Sequence, residues 1–298
     1  MKLSFFGETH RGKVRKKNED CFLAEELSPG IYLFIVADGM GGHMAGEVAS
    51  SLACRVVREE VGKNPKEKPL PLLLSAFEKA NERVFQEGKK ASSTMGMGTT
   101  LTVLYLKENK AFIAHVGDSR VYMLKKGKFL KLTKDHSLVE KLLMNGSISP
   151  EEAKNHPKRN ILYESVGVLG EVHPQLVGPI LLEGGETFLL CSDGLTFHLS
   201  DEEIKDIVQK NPPQEAVKQL IRMANERGGK DNITVITVKA EEGEEEKEAA
   251  REGERIWDPL SLALVIVILL TLLLGGLLVE KKAEKSIVKT PGIGTRLR

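Results

Sequence analysis

Residues 31 to 39 read Ile-Tyr-Leu-Phe-Ile-Val-Ala-Asp-Gly: an unbroken apolar run, rich in strand-forming side chains, that ends on an acid and a glycine. A short apolar run closed by turn residues is the pattern of a buried strand. The same signature recurs in both directions along the chain. Ala111 to Val116 runs into Gly117-Asp118, Thr187 to Ser192 runs into Asp193-Gly194, and Asp231-Asn232 immediately precedes the strand-like Ile233 to Val238. Leu101 to Leu106 adds a further strand, and Glu19-Asp20 a further acidic pair near the start.

Between these runs the apolar residues change to helical spacing. Val48, Leu52 and Val56 form one such set, Leu73, Phe77, Ala80 and Val84 a second, and Ala216, Val217, Leu220, Ile221 and Ala224 a third. Ser200 and Glu203 have the spacing of a capping box that opens a helix carrying Ile204, Ile207 and Val208. Strands come in runs rather than alternating with helices, which predicts antiparallel sheets covered by helices, an α+β class, over a doubly wound fold.

One Asp-Gly after a strand is ordinarily a turn, because glycine tolerates positive φ and Asp bonds local amides. Four acids at strand ends ask for more. In a compact sandwich several of them converge, and carboxylates brought together and partly buried repel one another while desolvation raises their pKa values. A hard divalent cation with oxygen ligands, Mg²⁺ or Mn²⁺, removes that cost. Two such ions can share a water, lower its pKa and aim it at phosphorus. Upstream of Glu19-Asp20 lies the basic run Arg11, Lys13, Arg15, Lys16, Lys17. Arg15 is the candidate phosphate ligand, since its planar fork grips two phosphate oxygens at once.

Composition excludes other chemistries. Lys plus Arg (43) nearly cancels Asp plus Glu (42), leaving a net charge of +1 and no global field for nucleic acid. Cys21, Cys54 and Cys191 are widely spaced, with no CxxC pair and no neighbouring His cluster, which argues against zinc, a disulfide framework and an oxidising compartment. A 41% hydrophobic fraction and 298 residues suffice for a large core.

The C-terminal region differs in kind. Residues 241 to 255, EEGEEEKEAAREGER, cannot bury a face and are expected to form a charged juxtamembrane linker. From Leu260 to Val279 no charge occurs; at about 1.5 Å per residue this run is long enough to cross a bilayer's hydrocarbon core. Trp257 before it and Glu280-Lys281-Lys282 after it resemble interfacial anchors. The expected organisation is a catalytic unit over 1–240, a linker over 241–258, a transmembrane helix over 259–280 and a short basic tail over 281–298.

Seven motifs then stand in one order: VRKKNED (14–20), VADGMGGHMAG (36–46), GMGTTLTV (96–103), HVGDSRVY (115–122), LTKDHS (132–137), CSDGL (191–195) and DNITVI (231–236). Together they resemble the metal-dependent protein Ser/Thr phosphatases of type 2C, in their bacterial branch, over nearly all of residues 1 to 240. The resemblance implies two antiparallel β-sheets packed as a sandwich and flanked by helices on both sides, with two or three Mn²⁺ or Mg²⁺ ions at one end. It implies that Asp38 bridges two ions, that Gly39 offers its carbonyl, that Asp193 and Asp231 are direct ligands, and that Glu19 and Asp20 act through water. Asp118 matches the position that holds a third ion together with Asp193. Arg15 matches the phosphate-binding arginine. The implied reaction is direct attack of a metal-bridged water on phosphoserine or phosphothreonine, without a phosphoenzyme.

Two positions depart from the pattern. Eukaryotic relatives carry a His two residues after the bridging Asp, where this chain has Met40; His43 is the nearest candidate for the general acid. Residues 147 to 167 resemble the flap beside the site, but Glu164 stands where the pattern has Arg. His115 and His136 are expected to be structural. The expected partners are phosphoserine or phosphothreonine proteins, an opposing Ser/Thr kinase, and a membrane reached through residues 260–279. With no signal-peptide pattern near Met1, the catalytic unit is expected on the cytoplasmic side. Lys281, Lys282, Lys285, Lys289, Arg296 and Arg298 behind the span point the other way by the positive-inside rule. Two alternatives remain open: a membrane-tethered, inactive regulatory binding module, and a metal-dependent hydrolase of small phosphate esters.

Overall fold

The run at 31–40 is a strand buried on both faces, and its two faces point into two different cores. Leu33, Ile35 and Ala37 pack against helices, whereas Phe34 and Val36 pack against another sheet. Side chains alternate across a strand, so an uninterrupted apolar run marks a strand sandwiched between layers. The structure is a computed structural model and describes residues 2–41, 45–90, 92, 94–154, 156–241 and 270–271.

The described strands are β1 (Leu3–His10), β2 (Asp20–Ser28), β3 (Ile31–Met40), β4 (Gly98–Thr99), β5 (Leu101–Lys107), β6 (Lys110–Val116), β7 (Arg120–Lys125), β8 (Lys128–Lys131), β9 (Gln175–Leu181), β10 (Thr187–Cys191) and β11 (Ile233–Ala240). The helices are α1 (Ala45–Lys63), α2 (Pro69–Gly88), α3 (Leu138–Met144), α4 (Pro150–Lys154), α5 (Asp193–Thr196), α6 (Asp201–Lys210) and α7 (Pro213–Glu226). One sheet has the order β1-β11-β10-β7-β8; the other has β2-β3-β5-β6-β9, with β4 paired to β3. Every pairing is antiparallel.

Three cores follow from this layering. Phe34, Val36, Leu104 and Ile113 meet Val121, Phe188, Leu190, Ile236 and Val238 between the sheets. On the outer face of the second sheet, Leu33, Ile35 and Val103 meet Ala49, Leu52, Ala53 and Val57 of α1 and Leu73, Phe77, Ala80 and Val84 of α2. On the outer face of the first sheet, Leu189, Cys191, Ile233 and Val235 meet Ile204, Ile207 and Val208 of α6 and Ala216, Val217, Leu220, Ile221 and Ala224 of α7. The order of layers is helices, sheet, sheet, helices, a α+β sandwich of the expected class.

The expected helical sets hold in α2 and α7. In α1 the buried stripe is centred on Ala49, Leu52, Ala53 and Val57, while Val48 and Val56 lie at its edge, only partly buried. Small residues there let α1 sit close on β3, which the spacing of the large side chains did not reveal. Ser200 caps α6 as a full capping box with Glu203. Residues Met1–Glu242 form one compact unit. Gly243–Arg298 form the second, whose only described residues are Leu270 and Thr271, both helical. The expected span at 259–280 therefore falls almost wholly outside the described residues. Among those described, no helix is long and apolar enough to cross a membrane.

Candidate metal centre

The acids singled out at strand ends gather where the same ends of the two sheets meet. Asp20 opens β2 and lies directly opposite Asp38 of β3 in register. Asp193 begins α5 after β10, Asp231 precedes β11, and Asp118 follows β6. The sheets are stitched together at this point by Asp20, whose Oδ2 accepts hydrogen bonds from Ser192 Oγ (2.8 Å) and Thr234 Oγ1 (2.6 Å) of the other sheet. The backbone of Asp38 is fixed by the Thr99-Thr100 pair. Its N–H donates to Thr100 Oγ1 at 2.8 Å, and its carbonyl accepts from Thr100 N–H (2.8 Å) and Thr99 Oγ1 (2.9 Å). Thr100 Oγ1 also bonds Ser119 Oγ at 2.9 Å, which ties the loop carrying Asp118 to the same anchor.

The two glycines that follow acids are not there for turn geometry. A Cβ on Gly39 would lie 2.1 Å from the carbonyl oxygen of Gly46, and one on Gly194 would lie 1.9 Å from that of Asn232. Neither is among the residues with positive φ. Each glycine lets a second backbone pass against the acid's own strand end, so the Asp-Gly pairs are close-packing devices. For Gly39 the neighbouring backbone belongs to the start of α1, and its N–H donates to Glu19 O at 3.1 Å.

The electrostatics are those of uncompensated crowding. Burial, then Asp20, Asp193, Asp118 and Asp231, push the Asp38 carboxyl well above the usual range. Burial also lifts Asp20 to about 7, against the pull of Thr234 and Ser192, and lifts Asp193 to about 6 with Asp231 adding to it. Asp118 is driven well upward by burial and by Asp193. Glu19 is raised by burial, with Arg15 opposing. Asp20 Oδ1 and Asp193 Oδ1 are buried with no hydrogen-bond partner.

A hard cation fits this set. The donors are oxygens only, two of them are orphaned, and a divalent charge would replace protons the carboxyls otherwise retain. As the side chains stand, no group of three or more His, Cys, Asp or Glu among the described residues is placed to hold a metal ion. The Asp231 carboxylate is already engaged: its Oδ2 binds the Arg15 guanidinium at 2.7 Å and its Oδ1 accepts from Asn232 N–H at 2.8 Å. Burial works against the Arg15 charge, but Asp231, Asp38 and Glu19 more than offset it and raise its pKa. The Arg15 side chain is 49% exposed, at the mouth of the acidic cluster.

Sequence reasoning gave no role to Asn232, which holds the N-terminal loop in place. Its Oδ1 accepts from Glu19 N–H at 2.9 Å, and its Nδ2 donates to Arg11 O (2.9 Å) and Lys17 O (2.8 Å). Ser192, next to Asp193, and Thr234, three residues after Asp231, likewise carry no mark of their role in the sequence. His43 lies outside the described residues. His115 is buried between Thr102 Oγ1 (2.9 Å) and Lys134 O (3.2 Å), and burial, with His136 beside it, lowers its pKa to about 3, so it is a neutral structural group. In the flap, Glu164 Oε1 accepts from His173 N–H at 3.0 Å, turned back to brace its own segment.

Residues 5–141 match the family model described as protein phosphatase 2C. The protein phosphatase PhpP of Streptococcus pneumoniae is 39% identical over 242 residues, 80% of this chain and 98% of the relative. The solved Mycobacterium tuberculosis serine/threonine phosphatase PstP/Ppp superposes with a TM-score of 0.74 at 36% identity, over 80% of this chain and 99% of that one. A structure of the PstP catalytic domain in complex with two manganese ions gives a TM-score of 0.73 at 34% identity, again over 80% and 99% of the two chains.

Proposed function

The chain is a Ser/Thr protein phosphatase of the protein phosphatase 2C family, and from that premise we propose that it cleaves phosphoserine and phosphothreonine esters with Mn²⁺ or Mg²⁺ held by the carboxylates at the end of the sandwich. The observation that carries this reading is the convergence of Asp20, Asp38 and Asp193, with two orphaned buried oxygens, beside Arg15. Asp38, Asp193, Asp231 and the Gly39 carbonyl would be the direct ligands, Glu19 and Asp20 would act through water, and Asp118 with Asp193 would take a third ion. When bound, the ions lower the pKa of water and neutralise phosphate charge.

The chain's own residues supply position. Arg15 presents its fork at the mouth, already aimed by Asp231, and can hold two phosphate oxygens in line with the acids. Ser192 and Thr234 both occupy Oδ2 of Asp20, while its Oδ1 stays buried without a hydrogen-bond partner. Asn232 fixes the loop from Arg11 to Glu19 against the loop before β11, which sets the height of Arg15 over the site. His43 is proposed, on its place in the sequence alone, to protonate the leaving oxygen. Catalysis on this scheme is positioning plus electrostatics.

The same reading includes a membrane tether through residues 260–279, a catalytic unit on the cytoplasmic side and an opposing Ser/Thr kinase. Support comes from the uncharged apolar run and the charged segment before it.

The test is phosphate release from a phosphothreonine peptide by the detergent-solubilised full chain, with and without Mn²⁺, beside Asp38→Asn. Release that needs both Mn²⁺ and Asp38 is expected. Metal-loaded, folded protein that releases phosphate from neither the peptide nor a small ester would sink the proposal in favour of a regulatory role.

A further inference from the structure

The LTKDHS segment (132–137) supplies none of the ligands named above, yet it grips the turn that carries Asp118. His136 N–H donates to Gly117 O at 2.6 Å, Leu132 N–H donates to Val121 O at 2.8 Å, and Val121 N–H donates to Thr133 Oγ1 at 3.1 Å. Among these contacts lies an ion pair. Arg120 Nε donates to both carboxylate oxygens of Asp135 at 3.1 Å, and its Nη2 donates to Oδ2 at 2.7 Å. Its Nη1 donates to the Tyr122 hydroxyl at 3.0 Å, and that hydroxyl donates to Asp201 Oδ1 at 2.9 Å, at the start of α6. The Asp135 side chain is 8% exposed and that of Arg120 25%, so salt screens the pair little and the planar fork is held in one orientation.

Arg120 is the first residue of β7 and stands opposite Cys191 of β10 in register. Carried two residues further, the same register sets Asp118 opposite Asp193. The strands end before that point, since Gly117 takes a φ of 109° and Asp193 already belongs to α5. The placement of Asp118 therefore depends on what holds its turn and not on the ladder. Every neighbour of Asp118 is held: Gly117 by His136, Ser119 by Thr100 Oγ1 at 2.9 Å, Arg120 by Asp135 and Val121 by Thr133. Burial and the nearby Asp193 charge both act against an ionised Asp118, so keeping the two acids together takes a restraint from outside them. The Arg120–Asp135 pair is the charge-assisted restraint on this turn, and charge-assisted hydrogen bonds are the strong ones. The far side of the segment is fixed by the flap, where Tyr163 N–H donates to His136 O at 2.9 Å and Leu138 N–H donates to Ile161 O at 2.8 Å.

We propose that Arg120 and Asp135 are positioning residues for the third ion: their pair holds the turn so that Asp118 stands beside Asp193 when that ion binds. This role rests on the reading of Asp118 and Asp193 as ligands of a third ion, and it gives the LTKDHS segment a task there. Both residues act through the backbone of the turn, because the Asp135 oxygens are taken by Arg120 and by Lys131.

The test is a calorimetric titration of the metal-stripped, detergent-solubilised full chain with Mn²⁺, for the parent, Asp118→Asn, Arg120→Lys, and Arg120→Gln combined with Asp135→Asn. The combined variant removes both charges at once, since neutralising one would leave the other buried and unpaired. The lysine keeps a charge but cannot bond Asp135 and Tyr122 as a fork. Asp118→Asn is expected to weaken the weakest Mn²⁺ site. The combined variant should weaken that same site by about ten-fold or more and spare the tighter ones, and Arg120→Lys should weaken it by less. Adding Asp118→Asn to the combined variant should then cost nothing further at that site, the non-additivity of groups that act on one ligand. Turnover at limiting Mn²⁺ should fall with the affinity and recover at saturating Mn²⁺. A pair that served stability alone would lower the melting temperature in EDTA without singling out one site. If the combined variant fails to fold, Arg120→Lys decides alone. A weakest site as tight as in the parent, or an equal loss at every site, would overturn the positioning role and leave the third ion at Asp118 standing. Mn²⁺ binding unchanged by Asp118→Asn would overturn both.

Discussion

Asp193 combines an orphaned buried oxygen with a carboxyl held near pH 6, so it is strained in the metal-free protein and rewarded when an ion arrives. Replacing it with Asn keeps the shape and removes the charge. Asp193→Asn should therefore lower Mn²⁺ affinity in a calorimetric titration and reduce turnover at limiting metal by about 10²-fold; near-normal turnover there would remove it from the site. Arg15 makes a different prediction, because its partner is the substrate. Arg15→Ala should raise KM for the phosphoester by roughly ten-fold or more, the worth of a charged hydrogen bond, with a smaller effect on kcat. The carboxyl pKa values also fix a pH dependence. Asp20 (about 7), Asp193 (about 6) and Asp38 (well raised) retain protons in the folded, metal-free state that the unfolded chain has lost, so stability without metal falls as pH rises from about 4 through 7. Mn²⁺ must displace those protons, so its affinity rises over the same interval. The melting temperature with Mn²⁺ minus that with EDTA should grow between pH 5 and 8, a difference in which the opposing contribution of buried neutral His115 cancels. A constant difference would mean that the acids do not share the metal. At this scale the acids were legible because each ends an apolar run. Asn232, Ser192 and Thr234 were not, because a polar residue's partner across the sandwich leaves no mark on its neighbours in sequence.

Strands with both faces covered declared themselves, and strands at the margins did not. β3, β5, β6, β10 and β11 are continuous apolar runs, since each has a sheet on one side and helices on the other. β1, β2 and β9 are half-buried at sheet edges and carry charged or polar residues that break the pattern. β7 and β8 were missed although Lys126 and Gly127 both take positive φ, the geometry of a tight two-residue hairpin. The capping box of α6 was legible because its two partners are three residues apart. The seat of α1 on β3 was not, because its determinants are small residues. Gly39 and Gly46 let the start of α1 touch the strand end that carries Asp38, with Gly39 walled by Gly46 O and Glu19 O. Gly39→Ala should thus cost more than an ordinary surface change. A loss of about 1–3 kcal/mol in urea denaturation is expected from overpacking, together with weaker Mn²⁺ binding, since α1 and β3 must move apart at the site. An unchanged denaturation midpoint and metal affinity would show that the contact yields without consequence.

On the scale of the whole chain, charge and hydropathy are segregated as sharply as strands and helices are within the first unit. Met1–Glu242 forms one compact unit with three hydrophobic cores of its own. Residues 260–279 are twenty uncharged residues in a row, which are costly to expose to water. A bilayer removes the cost. The expected outcome is that the full chain partitions with membranes, resists alkaline carbonate and is released by detergent, whereas a chain ending at residue 242 stays in the aqueous fraction and retains Mn²⁺-dependent release from phosphopeptides. Orientation is decided by a competition. Six basic residues after the span favour a tail on the cytoplasmic side, but that rule governs short loops, and long folded domains are not sorted by it. Translocating a folded sandwich of this size is the harder step, so the short basic tail is the part expected to cross. Protease added to sealed, inside-out vesicles should digest the catalytic unit and spare an epitope placed after Arg298. Digestion of the epitope with protection of the catalytic unit would reverse the topology, and recovery of the full chain in the aqueous fraction would remove the membrane from the proposal.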